Sequence, residues 1–399
     1  ALGTALSPQG TGLAKALIKF KRGVKLGKNG FTHLCVHAAG VFGNDKVSLQ
    51  DRVAWVLQRA DEIIGTGTDP DSYRDFWRQA DKPYMFLAVC EELAECILSS
   101  TKEREEFISH IPCAQDGSCN GIQHYSAMLR DPVGAVSVNL MDADIPKDIY
   151  LNCADKVIEF INYGLKYEQT FNGKEWIPAK DIDTVMQRGW LEFTVRRDAT
   201  KKPTMVIPYG GTKISCRDDC RLYLDKFTKK ARDDDPEYRN PFEILKYLDE
   251  NQKAINTQTY AITMLHHLVW KALDEIVIAA RTAMIFLKKI TQVIVNDGKH
   301  GNMLYWDSPT GVRVYQDIKD TKQNRVTTYL EGTIKLTLQE DTKKIDKRRM
   351  QTSISPNFVH NLDTSHLQMT TCTASDYSIQ DFCTVHDSFA THAGNCDLL

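Results

Sequence analysis

The chain has 399 residues and a mass of 45.3 kDa, enough for one large domain or two to three ordinary ones. Its 42% hydrophobic and 26% charged residues exclude wholesale disorder, because a chain this apolar buries enough surface to offset its ordering entropy. No stretch of about 18 residues is free of charge, which excludes a transmembrane helix. The net charge of −2 predicts no polyanion partner for the chain as a whole.

Local charge and the cysteines say more than the totals. The eleven cysteines are odd in number and lack disulfide-framework or paired zinc spacing, so we expect a reducing compartment and no structural zinc. Basic clusters of this kind hold phosphates in a cleft or form solvated faces. There are three of them: Lys19, Lys21, Arg22, Lys25 and Lys28; Arg196, Arg197, Lys201 and Lys202; and Lys343, Lys344, Lys347, Arg348 and Arg349.

The first half of the chain reads as mixed helix and strand. Asp81 is expected to cap a helix whose apolar face includes Phe86 and Leu93. A short apolar stretch over 108–114 runs into Asp116, and a helix is expected over 121–129. Helical spacing over 149–161 predicts a further helix, stopped by Gly164.

The second half is dominated by predicted helix. Residues 259–296 contain no Gly or Pro and predict one or two long core helices, whereas 229–241 is polar and predicts a surface connection. Residues 305–311 predict a turn between strands. The alternating Ile334, Leu336 and Leu338 predict a half-buried strand, and 382–385 is a short β-prone run.

Three segments stand out for their chemistry, beginning with DGSCNGIQHYSAMLRD over Asp116–Asp131. An acidic residue after a strand and before a helix directs its carboxylate into a cleft or caps the following turn. From Asp116 alone both interpretations stay open.

The second segment is RRDATKKPTMVIPYGG, residues 196–211. At 100° per residue, Arg197, Lys201, Met205 and Tyr209 fall on one helix face, which suits a triphosphate with a base stacked beyond it. The interior prolines oppose a regular helix, so a kinked surface helix is the alternative.

The third segment is VHDSF, residues 385–389, with Asp387 in a tight turn after a strand. Asp116 and Asp387 lie 271 residues apart in sequence. Two carboxylates brought together from distant segments bind two Mg²⁺ ions about 3.5–4 Å apart, the arrangement used for in-line phosphoryl transfer. Mg²⁺ prefers a few carboxylates plus substrate phosphates over a closed protein cage.

In this order the three segments resemble motifs A, B and C of the single-subunit RNA polymerases of bacteriophages and mitochondria. The matching text comprises the motif A segment, the pattern from Arg197 to Gly210, PNFVHNLDTSHL at 356–367 and HDSF at 386–389, with LSPQG at 6–10, DPVGAVSVNL at 131–140 and DIY at 148–150 beside them. The resemblance covers essentially the whole chain, and HYSAMLRD is more similar to the phage members.

The resemblance implies roles for ten of the matching residues. Asp116 and Asp387 would bind two Mg²⁺ ions, with the Gly117 carbonyl as an additional ligand and His386 flanking the second aspartate. Arg197 and Lys201 would hold the incoming triphosphate, Lys201 also protonating the leaving pyrophosphate. The remaining nucleotide-site positions are Met205, Tyr209, Gly210 and His360, of which Tyr209 would favour ribose and His360 would contact the sugar or minor groove.

The fold class implied is α+β, a right-hand polymerase with an antiparallel palm sheet and inserted, mostly helical fingers. Palm would span 1–144 and 361–399, and fingers 145–360. DNA template, RNA product and NTPs are the expected partners, without a membrane, in the cytoplasm of an infected bacterial host rather than in mitochondria. We also expect the chain to be part of a longer polymerase, whose N-terminal, thumb and C-terminal regions or a partner chain would complete it.

Three rival functions remain to be weighed. A family A DNA polymerase has Glu five residues after the first metal aspartate, where this chain has Gly121, and usually reads His-Asp-Glu where this chain has Ser388. A non-catalytic nucleic-acid-binding protein with a polymerase fold would be favoured by loss of either aspartate, and both are present. A metal-dependent nuclease would not explain the face from Arg197 to Tyr209. We therefore predict RNA synthesis.

Overall fold

The computed structural model describes Ser7 and residues 9–248, 252–297, 303–329 and 332–399. Leu6 and Pro8 of the LSPQG segment lie outside the described residues. Within the described ranges, no helix combines the length and the apolar character needed to span a membrane.

Most of the described chain is helical. The α-helices are α1 (Gly12–Ala16), α2 (Gly27–Phe42), α3 (Leu49–Gln58), α4 (Ala60–Thr68), α5 (Arg74–Trp77), α6 (Pro83–Leu98), α7 (Thr101–Glu106), α8 (Asn120–Leu129), α9 (Pro132–Ser137), α10 (Ile149–Tyr167), α11 (Asp181–Phe193), α12 (Arg197–Val206), α13 (Lys213–Asp234), α14 (Pro241–Ile244), α15 (Thr257–Ile276), α16 (Ile278–Asp297) and α17 (Lys347–Asp376).

The strands are short apart from one long hairpin. They are β1 (Val24–Lys25), β2 (Ile108–Ser109), β3 (Pro112–Asp116), β4 (Gln169–Phe171), β5 (Trp176–Pro178), β6 (Tyr247–Leu248), β7 (Ala254–Ile255), β8 (Leu304–Asp307), β9 (Arg313–Gln316), β10 (Lys319–Tyr329), β11 (Thr333–Ile345), β12 (Cys383–Val385) and β13 (Ser388–His392). The sheet formed by β3, β12 and β13 has three strands, whereas each of the other described sheets has two.

The chain divides into two compact units. The first comprises Ala1–Asn120, Met141–Lys147 and Asp363–Leu399, and the second comprises Gly121–Leu140 and Asp148–Leu362. In the first unit the antiparallel sheet has the order β12-β13-β3. The core of this unit lies between α2 and α6, where Leu34, Phe86 and Leu93 are fully buried. Burying each of these side chains contributes about 1.5–3 kcal/mol.

The second unit is mainly a helical bundle with small hairpins. Its core includes the fully buried Trp190 of α11, whose ring packs on Phe242 and whose Nε1 donates to the Ala261 carbonyl of α15 at 3.0 Å. A buried indole is stable because its single N–H donor finds a partner. The predicted helical region after residue 259 forms two helices, α15 and α16, as expected.

Two predicted helix ends are wrong. Asp81 does not cap α6, because Pro83 takes the first helical position, Lys82 the N-cap, and the Asp81 backbone N–H donates instead to the Phe42 carbonyl at 3.0 Å. Gly164 does not stop α10, which continues to Tyr167. A Cβ at Gly164 would lie 2.3 Å from Gln187 Nε2, so this glycine lets α10 pack closely against α11.

Two further predictions need correction. The expected surface connection over 229–241 is helical as far as Asp234, because no Pro or Gly interrupts its first half. Ile334, Leu336 and Leu338 lie on a strand as predicted, but this face of the strand is not buried, since the three side chains are 43%, 46% and 55% exposed. The reason is that β11 pairs with β10 in a two-stranded ribbon.

The cysteines form no disulfide. Nine of the eleven thiols are buried, whereas Cys372 is exposed and Cys383 is half-buried. Burial raises the pKa of Cys35 and of Cys96 to about 12. These core thiols therefore remain protonated and unreactive at neutral pH.

Two buried histidines predict a loss of stability in acid. Burial lowers the pKa of His37, and of His266 on α15, from 6.5 to about 4. Both side chains are neutral in the folded chain and take up a proton on unfolding, so each destabilises the fold as pH falls from about 6.5 to about 4. The full effect is about 3 kcal/mol for each.

The test is chemical denaturation of the wild type and of His266→Gln between pH 7.5 and 4.5. Below pH 6.5 the free energy of unfolding should decline more steeply for the wild type than for His266→Gln. The two slopes should differ by at most about 1.4 kcal/mol per pH unit. Equal slopes for wild type and His266→Gln would contradict the prediction.

Candidate active site

The register of one antiparallel strand pair brings Asp116 and Asp387 together. Asp116 is the last residue of β3, and Ser388, the first residue of β13, is its direct partner. Asp387 immediately precedes Ser388, so both carboxylates lie at the same end of the sheet. The two aspartates that the sequence predicted to cooperate are thus neighbours in the first unit.

The backbone on both sides of this pair has unusual conformations. His386 and Asp387 form a two-residue turn between Val385 and Ser388, and His386 has φ 55°. On the other side, Cys119 has φ 60°. Non-glycine residues at such angles cost about 1–3 kcal/mol each and are maintained only when the surrounding structure enforces them. The fold therefore holds both aspartate-bearing turns in specific conformations.

Both carboxylates line a pocket of about 320 Å³, together with Lys82 and the buried His37. Asp116 reaches solvent at the wall of this pocket. Lost hydration there, and next the neighbouring Asp387 carboxylate, raise the pKa of Asp116 despite the opposing effect of Lys82. A cation between the two carboxylates would relieve this repulsion.

The donors at this end of the sheet fit Mg²⁺. Among the described residues, no group of three or more His, Cys, Asp or Glu side chains is arranged to hold a metal. Two carboxylates without such a third ligand suit an ion that keeps waters and also binds substrate phosphates. Gly117 follows Asp116 directly, and its backbone N–H bonds to the Asp116 carboxyl.

In the second unit, α12 carries the predicted cationic face. Arg197, Lys201 and Met205 follow one another at intervals of four residues, and Met205 is 43% exposed. The opposite face is buried through Ala199, Thr200, Pro203 and Thr204. Pro203 is accommodated within the helix, where the Thr204 hydroxyl donates to the Thr200 carbonyl at 2.7 Å. The helix thus presents one accessible face with two cations.

Two residues that the sequence analysis left without a role hold Arg197. Asp148 accepts a hydrogen bond from Arg197 Nε and caps α10 through its other oxygen, which accepts from Tyr150 N at 3.0 Å. The Tyr150 ring lies 4.8 Å from the guanidinium carbon. The DIY segment therefore orients the guanidinium. In the sequence, this role could have been suspected from the position of the DIY segment at the start of a predicted helix.

Tyr209 lies beyond the end of the helix, so the prediction that it shares the helix face of Arg197 and Lys201 is wrong. Helix α12 ends at Val206, and the Tyr209 backbone N–H donates to the Val206 carbonyl at 3.1 Å in the following turn. Gly210 has φ 90°, a conformation that favours glycine, and completes the turn. A turn replaces the helix here because the missing N–H of Pro208 cannot continue the helical hydrogen bonds.

The turn brings Tyr209 to His360. Their ring centroids are 4.9 Å apart with planes inclined by 37°. The two residues predicted to recognise the sugar are therefore in contact, although 151 positions separate them in sequence. Each also has further interactions in the structure.

A chain of hydroxyl groups supports the turn that carries Tyr209. The Ser355 hydroxyl donates to the Pro208 carbonyl at 2.9 Å, and the Tyr125 hydroxyl lies 2.9 Å from Ser355 Oγ. Tyr125 is fully buried on α8, and Ser355 is fully buried on α17. The sequence analysis assigned neither residue a role. Their positions within or beside the recognised motifs were the only signal.

Gly121 has a packing role in addition to its lack of a side chain. A Cβ at this position would lie 2.6 Å from Pro208 Cβ and 3.2 Å from Tyr209 Cε2. The space that a side chain would need is therefore taken by the turn after α12. A glutamate at this position, as in the rival DNA polymerases, would require that turn to move.

The basic cluster between Lys19 and Lys28 is largely neutralised by surface ion pairs. Lys19 pairs with Glu91 at 3.0 Å, Arg22 pairs with Asp381 at 2.9 Å, and Lys25 pairs with Glu106. This supports the alternative of a solvated face for that cluster rather than a phosphate site.

We expect Gly121→Ala to be destabilising despite the higher helix propensity of alanine. Overpacking against Pro208 costs about 1–3 kcal/mol and helix propensity returns about 1 kcal/mol, so the net loss should be up to about 2 kcal/mol. Chemical denaturation measures the change. The control is Gly40→Ala in α2, where a Cβ meets nothing within 4 Å and the free energy of unfolding should not fall. A Gly121→Ala change in the free energy of unfolding no less favourable than that of Gly40→Ala would refute the packing role.

Comparisons with known proteins identify the family of the chain. A family model described as DNA-dependent RNA polymerase matches residues 24–399. The DNA-directed RNA polymerase of Enterobacteria phage T3 is 32% identical, over 96% of this chain and 43% of the phage protein. T7 RNA polymerase of Escherichia phage T7 is 31% identical, over 96% of this chain and 44% of its own length.

A plant organellar relative matches equally well. The chloroplastic/mitochondrial DNA-directed RNA polymerase 2B of Nicotiana tabacum is 32% identical over 99% of this chain and 35% of its own length. These identities do not separate phage from organellar relatives, and the chain spans less than half the length of each. Because the family model matches nearly all of the chain, the chain belongs to the DNA-dependent RNA polymerase family.

Proposed function

We propose that this chain carries the catalytic aspartates and the nucleotide-binding residues of a DNA-directed RNA polymerase, which adds ribonucleotides from NTPs to RNA on a DNA template. The observation that carries the proposal is the pairing of Ser388 with Asp116, because it sets Asp387 beside Asp116 in the wall of one pocket. Membership of the family and the order of the motifs support it.

Asp116 and Asp387 are the proposed Mg²⁺ ligands, with the Gly117 carbonyl beside them and His386 flanking the second aspartate. When two Mg²⁺ ions are bound, they supply charge stabilisation to the attacking and leaving oxygens of an in-line displacement. The residues of the chain contribute by fixing two negative charges at one end of the sheet. The raised pKa of Asp116 reflects the cost of that placement without a cation.

Arg197 and Lys201 are the proposed triphosphate ligands. They lie one turn apart on an accessible helix face, and Asp148 and Tyr150 orient the Arg197 guanidinium. A planar guanidinium suits phosphate oxygens because its donors form a fixed fork. Lys201, whose side chain is exposed, donates a proton to the leaving pyrophosphate.

Tyr209, His360, Met205 and Gly210 form the remaining nucleotide site in this proposal. The Tyr209 hydroxyl favours ribose, and His360 contacts the sugar or minor groove. The tight packing over Gly121 argues against the DNA polymerase alternative, because a glutamate there would collide with Pro208 and the Tyr209 ring.

We further propose a palm and fingers arrangement with the predicted boundaries, palm at 1–144 and 361–399 and fingers at 145–360. Its support is the antiparallel sheet with both aspartates in one unit and the helices α10–α16 in the other. DNA template, RNA product and NTPs are the partners, together with any further polymerase regions or a partner chain. An infected bacterial cytoplasm is the proposed place of action, with an organelle as the alternative.

Replacing either aspartate with asparagine tests the metal assignment. Outer partners of metal ligands already contribute about 10–100-fold to activity, so Asp116→Asn or Asp387→Asn should lower nucleotide addition by more than about 100-fold. Nucleic-acid binding should change far less, because phosphate contacts are spread over many cations. The assay is primer extension by the polymerase expressed from its whole reading frame.

Asp397→Asn is the matched control, since that carboxylate is exposed and pairs with His33 at the surface of the same unit. It should extend primers at the wild-type rate. An Asp387→Asn enzyme that extends primers nearly as fast as wild type would overturn the proposed function.

Tyr209→Phe should relax sugar selection while synthesis continues. The ring that packs near Gly121 and His360 remains, and only the hydroxyl is lost. One hydrogen bond of about 1.4 kcal/mol corresponds to a tenfold change, so the ratio of rNTP to dNTP incorporation should fall about tenfold or more. Tyr260→Phe, which removes a hydroxyl bonded to Asp183, is the control for hydroxyl loss elsewhere in the unit. An unchanged ratio would exclude Tyr209 from sugar selection.

A further inference from the structure

Helix α17 contacts the segments that follow both metal-binding aspartates. Residues 363–376 of this helix belong to the first unit, together with β3 and β13. Asp363 and His366 are three residues apart, so they share one face of the helix. Both residues lie in the matching segment PNFVHNLDTSHL, but neither has been given a role above.

Asp363 holds the turn after Asp116. Its Oδ1 accepts a hydrogen bond of 2.5 Å from Asn120 Nδ2. Asn120 is buried, with 8% of its surface exposed, and it lies four residues after Asp116. Cys119 precedes Asn120 and has a positive φ, a strained conformation that must be held by contacts from outside the turn. The hydrogen bond from Asn120 to the Asp363 carboxylate can hold this conformation, because a hydrogen bond to a charged acceptor is stronger than one between neutral groups.

His366 contacts the segment after Asp387. Its ring meets Phe389 edge-on, with centroids 5.2 Å apart and planes inclined by 71°. Phe389 is buried, lies two residues after Asp387, and pairs directly with Gln115 of β3. The pocket lining alternates along the strands through Ala114, Asp116 and Ser388 and omits Phe389. Helix α17 therefore contacts the sheet on the side away from the pocket.

We propose that Asp363 and His366 are positioning residues that set the separation of the Asp116 and Asp387 carboxylates for metal binding. This inference rests on the proposed function. Asp363 acts through Asn120 and not as a ligand, because the described residues contain no group of three acidic, histidine or cysteine side chains arranged for a metal. Coupling through one helix turn fixes both aspartate-bearing segments to the same rigid element.

The hydrogen bond allows a swap experiment. Asp363→Ala removes the acceptor, whereas Asp363→Asn retains an oxygen that accepts from Asn120. Asn120→Asp places two carboxylates together, and adding Asp363→Asn restores a donor opposite an acceptor. Gln368→Ala, an exposed position on the same helix, is the control.

The primary measurement is Mn²⁺ binding, followed by electron paramagnetic resonance of the free ion. Outer partners of metal ligands typically contribute 10–100-fold to affinity or activity, so Asp363→Ala and Asn120→Asp should bind Mn²⁺ about tenfold more weakly. Asp363→Asn, the double swap and Gln368→Ala should bind within about threefold of wild type. His366→Ala should weaken binding, and His366→Phe, which keeps a ring against Phe389, should restore it.

Single-turnover nucleotide addition gives the second measurement. The rate should fall about 10–100-fold in Asp363→Ala while the apparent NTP affinity changes less than about threefold, since the triphosphate ligands are on α12. A general loss of folding would weaken both quantities together. If Asp363→Ala fails to fold, the comparison of Asn120→Asp with the double swap decides.

Three results would overturn the inference. They are Asp363→Asn as defective as Asp363→Ala, a double swap no better than Asn120→Asp, or Mn²⁺ affinity unchanged in Asp363→Ala. The metal measurement also separates this inference from the proposed function. Wild-type protein that binds Mn²⁺ through Asp387 but extends no primer would contradict polymerase activity and leave the positioning role standing.

Discussion

The proposed active site depends on holding together two carboxylates that repel each other. The pairing of β3 with β13 does this, and the pKa of Asp116 is raised by lost hydration first and by the neighbouring Asp387 carboxylate second. The strained turns at Cys119 and His386 add to the cost. These unfavourable terms are concentrated at one end of a three-stranded sheet. The apolar core between α2 and α6, with Phe86 and its neighbours fully buried, offsets them elsewhere in the same unit.

The proposed nucleotide-binding face in the second unit follows a related principle. Arg197 is not a freely moving side chain but is held by Asp148 and the Tyr150 ring. Tyr209 is likewise fixed, by the tight turn after α12 and by Ser355 beneath it. In both units, residues with proposed chemical roles are positioned by partners that have none. Such preorganisation matters because a charge or ring already in place needs no reordering when substrate binds.

The sequence predicted the elements and the residues of the site better than it predicted their surroundings. Asp116 and Asp387 were assigned from the resemblance of their segments to motifs A and C, whereas the strand register that makes them neighbours is a property of the fold. Periodicity placed Arg197 and Lys201 on one helix face correctly. It placed Tyr209 on the same face wrongly, because a helical wheel assumes that the helix continues, whereas α12 ends at Val206. Gly164 was misread for a similar reason, since close approach to Gln187 depends on tertiary packing. Asp148, Ser355 and Asp363 bond to residues 49, 147 and 243 positions away, which no local pattern reports.

The buried cysteines give the packed core a chemical meaning as well as an energetic one. A thiol such as Cys35 is both inaccessible and, because burial raises its pKa to about 12, un-ionised. Thiolates are the species that oxidants and electrophiles attack. Packing therefore suppresses the concentration of the reactive form and its encounter with reagents at the same time. A chain that opens even briefly would lose both protections at once and become open to irreversible covalent damage.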